Sequence, residues 1–366
     1  MAILQLDGFD HYGNGSVGTA TIRAAFESAG YATVSATRGF LLGTAYGKNA
    51  GSYGARLTSS VSTDTAANQV QISKPIQPEQ YKGQTPYVPK DFVILGFAFR
   101  MVLNPTAELV LARIGDHDIS IGIDMVLCAD TLPTSFQAEM SIWNYCELEV
   151  NMRDSKYRVW VNDVMVSEKT LTEQTVKVDR WEIKAYYRAN GTGGQAIVDV
   201  DDKYLMDGST SASSVATVRL GKVSVATRLP TADAEVAFAR DSGTSNFSRV
   251  GQQANDGDTS YVYSGTPGTQ DLYSNAAALT VVDDNAVIAV AVHIAARQTE
   301  PDSMSVAAVI KSGGQTYEGG RMALKAASYA SEKAVFELDP GTGLRWKPTA
   351  VVAATFGQKI LDKPST

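Results

Sequence analysis

The stretch from Trp143 to Asp163, WNYCELEVNMRDSKYRVWVND, does most to limit what this chain can become. Leu148, Val150 and Met152 alternate with Glu147, Glu149 and Asn151, which puts the apolar set on one face of a strand. Arg153 to Lys156 supplies a polar turn, and Tyr157, Val159 and Val161 then alternate with Arg158, Trp160 and Asn162. Asn162-Asp163 forms a second turn, because both residue types tolerate left-handed backbone. The crowding of β-branched and aromatic residues, with no 3.6-residue period, excludes a helix. The segment reads as a β-hairpin inside a larger sandwich.

The same rhythm recurs along the chain. In Phe92 to Leu103, Val93, Leu95, Phe97, Phe99 and Met101 alternate with smaller or polar residues. Tyr31 to Thr37, Ala55 to Leu57 and Gln69 to Ser73 read as short strands. So do Glu108 to Ile114, Asp118 to Ile123, Ser135 to Met140, Lys177 to Tyr187, Ala196 to Leu205 and Val215 to Val225. Thr19 to Ala29 is the best helix, with Ile22, Ala25, Phe26 and Ala29 on one face and Gly30 placed to end it. Four prolines in Ser73 to Lys90 predict an irregular exposed loop. The fold class is therefore all-β: a sandwich with a smaller β-rich C-terminal domain. Leu229-Pro230-Thr231 marks the boundary, giving residues 1–228 and 229–366. The second part opens on a linker rich in Ser, Asn, Asp and Gly, Ala232 to Thr269. It continues with strands at Ala277 to Val282, Ala286 to Ala296, Val306 to Ile310, Arg321 to Ala326, Ala334 to Leu338 and Ala350 to Phe356.

Composition narrows the function classes. Hydrophobic residues make up 44% of the 366, enough for a real core, and a net charge of −7 opposes nucleic-acid binding. Neither a basic amphipathic stretch nor an apolar run of membrane-spanning length is present. Met1 to Leu6 is too short for a signal peptide, so synthesis in a cytosol is expected. Cys128 and Cys146 make neither a disulfide framework nor a metal cage and read as buried apolar groups.

Candidate chemistry is sparse. Gly13-Asn14-Gly15-Ser16-Val17-Gly18 fits a dinucleotide pattern, yet the acid expected about twenty residues on is missing, so it reads as a plain glycine loop. Glu147 and Glu149 share a strand face and would be the acid and nucleophile of a glycosidase, though the third position, Asn151, is an amide. The bland alternative is a solvated or salt-bridged polar face. Asp199, Asp201 and Asp202 are candidate calcium ligands, as are Asp256 with Asp258 and Asp283 with Asp284, but none has the full loop pattern. No other cofactor is expected. His11, His117 and His293 are far apart and carry no zinc or triad spacing. Trp160, Tyr186 and Tyr187 fall near turns or on outward faces and are candidate glycan contacts, against the alternative of ordinary packing.

The opening Ala2 to Tyr12 (AILQLDGFDHY) resembles the start of tailed-bacteriophage virion structural proteins of the tail-fibre-like or minor structural kind. Phe92 to Arg100 is similar to that family's early core strand. Trp143 to Asp163 resembles a laminin-G or concanavalin-A-like hairpin. Val198 to Leu205, Leu220 to Val225 and Leu229 to Thr231 resemble its closing strands, and the likeness runs on through Asn255 to Val262 and Asp271 to Tyr273. The resemblance implies a concanavalin-A-like jelly roll and a non-enzymatic place in a virion (tail, collar, baseplate or head), assembled in the host cytoplasm. Its partners would be further copies in a symmetric homo-oligomer and other virion proteins. The Pro-rich loop, the Ala232 to Thr269 linker and the small-residue face of Ala289, Ala291 and His293 are the candidate assembly contacts. The strand holding that face avoids charge on both sides, so both sides are expected to be covered. A host-glycan-binding, lectin-like module is the second reading, and a glycoside hydrolase using Glu147 and Glu149 the third.

Overall fold

The computed structural model describes residues 2–12, 15–16, 20–29, 31–34, 40–49, 52–59, 70–76, 91–171, 178, 180–187, 195–208, 219–253, 255–275, 287–299, 304–324, 326 and 328–361. The Pro-rich loop from 77 onward, Ala277 to Val282, and the Asp283-Asp284 pair lie outside the described residues. The chain divides into two compact units, Met1–Thr227 and Arg228–Thr366.

Among the described residues the first unit holds sixteen strands. They are β1 Ala2–Asp7, β2 Gly15–Ser16, β3 Ala32–Val34, β4 Phe40–Gly43, β5 Gly54–Ser59, β6 Val70–Pro75, β7 Phe92–Leu103 and β8 Leu109–Ile114. There follow β9 His117–Ile121, β10 Val126–Ala129, β11 Leu132–Gln137, β12 Trp143–Asn151, β13 Lys156–Val161, β14 Val164–Thr170, β15 Arg180–Tyr187 and β16 Ala196–Asp207. One antiparallel sheet of nine strands runs β14-β13-β12-β7-β16-β5-β4-β2, with β1 also on β16; the other, of seven, runs β11-β10-β9-β8-β15-β6-β3. A register shift between Asp201 and Tyr204 lets the first half of β16 pair with β5 and its second half with β1. Asp202 takes the left-handed backbone, φ 50°, inside that shift.

The core between the sheets follows the alternation in the sequence. Val93, Leu95, Phe97, Phe99 and Met101 of β7 are buried with Leu148 and Val150 of β12 and Tyr157, Val159 and Val161 of β13. Leu109, Ile119, Ile121, Trp181 and Ile183 belong to the same core from the second sheet. Each such side chain contributes about 1.5–3 kcal/mol on burial. A one-residue slip of β7 would turn five of them outward, so the register is strongly fixed. The hairpin turn at Asn162-Asp163 has both residues at positive φ, 50° and 70°. The helix α1, Ala20–Ser28, buries Ile22 and Phe26, and Phe26 stacks on Tyr12 at 3.9 Å.

The structure departs from expectation in several places. Of the strand expected at Val215 to Val225, residues 215–218 lie outside the described residues; 219–227 form a strap that joins no ladder among the described residues. The strand expected at Ser135 to Met140 is β11, which starts at Leu132, and β10 before it carries no clear pattern in the sequence.

The second unit contains β17 Ala232–Glu235, β18 Ala239–Arg240, α2 Phe247–Val250, β19 Val262–Tyr263, β20 Gln270–Ser274, β21 Val290–Ala296, β22 Ser305–Ser312, β23 Gln315–Ala323, β24 Ala330–Phe336, α3 Pro348–Ala353 and β25 Thr355–Leu361. Its main sheet runs β17-β20-β25-β22-β23, beside the pairs β18-β19 and β21-β24. The stretch expected to be a linker is folded. Buried Asp271 accepts the backbone N–H groups of Ala237 and Phe238 and the Asn246 amide, and Asp233 accepts those of Asn246 and Phe247. The strand expected at Ala350 to Phe356 is instead the helix α3 followed by β25, because Pro348 presets the first helical turn.

Candidate functional site

The outer face of the nine-stranded sheet gathers nearly all the chemistry of the first unit. Residues facing away from the core alternate with those just described. They are Trp143, Tyr145, Glu147 and Glu149 on β12, Arg158 and Trp160 on β13, Arg100 on β7, Asp199 and Asp201 on β16, and Arg56 on β5.

Part of this face is roofed, and around Glu147 and Glu149 it is the salt-bridged polar face of the bland reading, not a solvated one. Glu147 is 1% exposed. It accepts hydrogen bonds from the Tyr204 hydroxyl, the Arg219 guanidinium and, at 2.8 Å, the Gly221 N–H. Asp202 accepts the Val225 N–H at 2.7 Å and the Lys48 ammonium at 2.8 Å. Asp10 accepts the N–H groups of Tyr53 and Thr227. The strap 219–227 and the loop residues 44–49 and 52–53 are thus held down by carboxylates beneath them, which supply acceptors for backbone N–H groups that no ladder satisfies. Gly96 makes room for the roof: the Tyr204 ring lies where its Cβ would be.

The sequence candidates fare unevenly. Glu149 is tied to Arg158 at 2.5 Å, and burial holds its carboxyl above the usual range. With Glu147 closed under the strap, the pair does not present a free acid and nucleophile to a sugar. Asp199, Asp201 and Asp202 do not converge on a cation. Asp199 meets only guanidiniums, Asp201 accepts the Lys48 and Asp202 N–H groups, and no metal-holding cluster occurs among the described residues. Burial, then the charge of Asp202, pushes Asp201 up to about 8. Trp160 lies on the outer face, whereas Tyr186 and Tyr187 sit half-buried on β15 of the other sheet, so the three form no common platform. Ala289 precedes β21; Val292 and Ile294 are buried, whereas on the opposite face Ala291 is exposed and His293 and Ala295 are half-buried. His293 meets the Ser331 hydroxyl at 3.2 Å.

One constellation was not expected. Arg56, Asp199, Arg100 and Trp143 stand in register across β5, β16, β7 and β12. Asp199 is fully buried and takes both guanidiniums: Arg56 at 2.6 and 3.0 Å, Arg100 at 2.6 and 3.2 Å. Arg56 lies over the Tyr46 ring at 4.3 Å and Arg100 over Trp143 at 4.9 Å. Both arginines are about one-fifth exposed, and each keeps an Nη1 group with no protein acceptor among the described residues. Two positive charges share one negative charge, so the row is a rigid, partly exposed cationic site with aromatic flanks.

No family model and no curated protein matches the chain. Solved structures similar to it include an alginate lyase of polysaccharide lyase family 7, with 8% identity and TM-score 0.38 over 49% of this chain and 95% of that one. A second alginate lyase, in complex with alginate trisaccharide, has 7% identity and TM-score 0.38 over 55% and 97%. A sialidase has 11% identity and TM-score 0.39 over 55% of this chain but only 19% of its own. These neighbours are enzymes, which stands against the expectation of a non-enzymatic chain. The resemblance to tailed-phage virion proteins finds no support among them. The expected all-β sandwich is what the two antiparallel sheets of the first unit form.

Proposed function

We propose that the first unit recognises a glycan bearing an acidic sugar, through the row Tyr46–Arg56–Asp199–Arg100–Trp143. The observation that carries this reading is the second guanidinium. One arginine would neutralise Asp199. Two leave a net positive charge at the surface, with their N–H groups fixed in direction by the buried carboxylate and by stacking. Such a pair matches a carboxylate, and the flanking Trp143 and Tyr46 suit the apolar face of a pyranose. The lectin-like alternative drawn from the sequence agrees with this chemistry, although its ligand contacts differ.

Calorimetric titration with acidic oligosaccharides and their neutral counterparts tests the reading. Acidic ligands should bind, more weakly as salt rises, and Arg100→Gln should lower affinity at least tenfold. Because that change also strips a partner from Asp199, Trp143→Leu serves as a second variant, with melting curves for both. Equal affinity for neutral and acidic ligands, or full affinity in both folded variants, would sink the proposal.

A further inference from the structure

The same outer face carries a second aromatic–guanidinium pair. Arg219, from the strap, lies over the Trp160 ring at 5.2 Å and donates to Asp163 Oδ1 at 3.0 Å and to Glu147. The site is built rather than incidental. Asn162 and Asp163 both adopt positive φ in the hairpin turn, and Gly221 at φ 70° lets the strap close against it. A Cβ at Gly221 would lie 2.7 Å from Asp163 Oδ1.

Register fixes the separation of the two pairs. Trp143 faces Arg100, and Trp160 faces Glu147, which is four residues further along β12. With a rise of about 3.4 Å per residue and about 4.8 Å between strands, the two tryptophans stand roughly 14 Å apart. A single six-membered ring, built from bonds of about 1.5 Å, cannot span them.

Charge distinguishes them. The first site sets two guanidiniums against one carboxylate. The second sets one guanidinium against two, and Asp163 is half exposed. A ligand carboxylate beside Asp163 would meet like charge, whereas a hydroxyl could donate to Asp163 and accept from Arg219.

We infer that this face binds an oligosaccharide of mixed charge, with an acidic sugar at Arg56–Arg100 and a neutral sugar stacked on Trp160 and hydrogen-bonded by Asp163 and Arg219. The inference rests on the acidic-glycan reading above and adds a second subsite with its own selectivity. A uniformly acidic polymer is the poorer ligand.

The test uses the full chain and three probes: an acidic monosaccharide, a tetrasaccharide with one terminal acidic sugar and three neutral ones, and a uniformly acidic tetrasaccharide. The mixed tetrasaccharide should bind about tenfold tighter than the other two. Trp160→Ala should bring the ratio of mixed tetrasaccharide to monosaccharide affinity down toward one, and Asp163→Asn should narrow the gap to the uniformly acidic probe. Both variants are checked for folding by thermal melts. If the mixed ligand gains nothing over the monosaccharide, or the uniformly acidic probe binds best, the second subsite is wrong while the Arg56–Arg100 site stands. If none of the probes binds, both fall.

Discussion

Asp201→Asn should stabilise the first unit at neutral pH. The Asp201 side chain is fully buried beneath Lys48 and Ser52. It accepts N–H groups from Lys48 at 2.8 Å and Asp202 at 2.7 Å and lies 3.4 Å from the Ser52 hydroxyl. Burial and the neighbouring Asp202 push it up to about 8, against an ordinary value of 3.8. Between those limits the native state keeps a proton that the unfolded chain has released. The stability is therefore fully present below about pH 4 and is lost as pH rises toward 8. At about 1.4 kcal/mol per pH unit, the four-unit gap sets a ceiling of about 6 kcal/mol. Water entry and local relaxation lower it. Asparagine cannot ionise but keeps only one of the two oxygens that accept the Lys48 and Asp202 N–H groups, a pH-independent cost of about 1–2 kcal/mol; against wild type it should be the weaker near pH 4 and gain about 2–4 kcal/mol between pH 4 and pH 7, leaving a net gain near neutrality. Urea unfolding across this range, followed by tryptophan fluorescence, measures it. A Trp346→Phe background confines the signal to Trp143, Trp160 and Trp181 of the first unit. A wild type that grows more stable from pH 4 to 8, with Asp201→Asn weaker throughout, would refute the reasoning.

Three other substitutions test separate parts of the molecule. Gly96→Ala should cost about 1–3 kcal/mol by driving a methyl group into the Tyr204 ring, read as a lower melting temperature of the first unit. Asp199→Ala leaves Arg56 and Arg100 facing each other without their shared carboxylate; it should destabilise the unit by about 3–5 kcal/mol, measured by urea unfolding. Trp346→Ala empties the core of the second unit and frees the Phe336 carbonyl, which accepts the indole N–H at 2.8 Å. It should cost that unit about 3–5 kcal/mol in calorimetry.

The inner half of the sandwich was legible because alternation and burial obey the same period. Val93 to Met101 and Leu148 with Val150 pointed inward as their spacing requires. The outer half was not. A period of two says which residues turn away from the core, not what then covers them, so the sequence leaves Glu147 either solvated or salt-bridged and gives no sign of the strap that closes over it. The Arg56–Asp199–Arg100–Trp143 row escaped for a related reason: its members come from four distant segments and meet only through cross-strand register. The one signal available was Asp199 between Val198 and Val200, an acid in an apolar strand with no partner nearby in the sequence. The alternation along β13 does place Trp160 on the outer face, whereas β15 carries Tyr186 and Tyr187 on the other sheet. At Ala350 to Phe356 the small and β-branched residues fit either period, and the proline just before them decided for a helix.

The placement of charge on the outer face separates structure from recognition. Burying a carboxylate costs several kcal/mol unless donors replace its water. Glu147, Asp202 and Asp10 recover that cost from backbone N–H groups of the strap and loop, whose own donors would otherwise be unsatisfied. Each fastens the roof and is consumed in doing so. Asp199 differs, because its donors are guanidiniums that reach the surface and carry more positive charge than it can balance. The surplus is directed outward at the edge of the roof, where a ligand can meet it. A substitution that loosens the strap, such as Gly221→Ala, should therefore lower stability through its strained positive φ and its clash with Asp163. It should leave acidic-monosaccharide affinity at the Arg56–Arg100 row near wild type in the folded protein. Loss of that affinity in a folded Gly221→Ala variant would show that roof and row are one device rather than two.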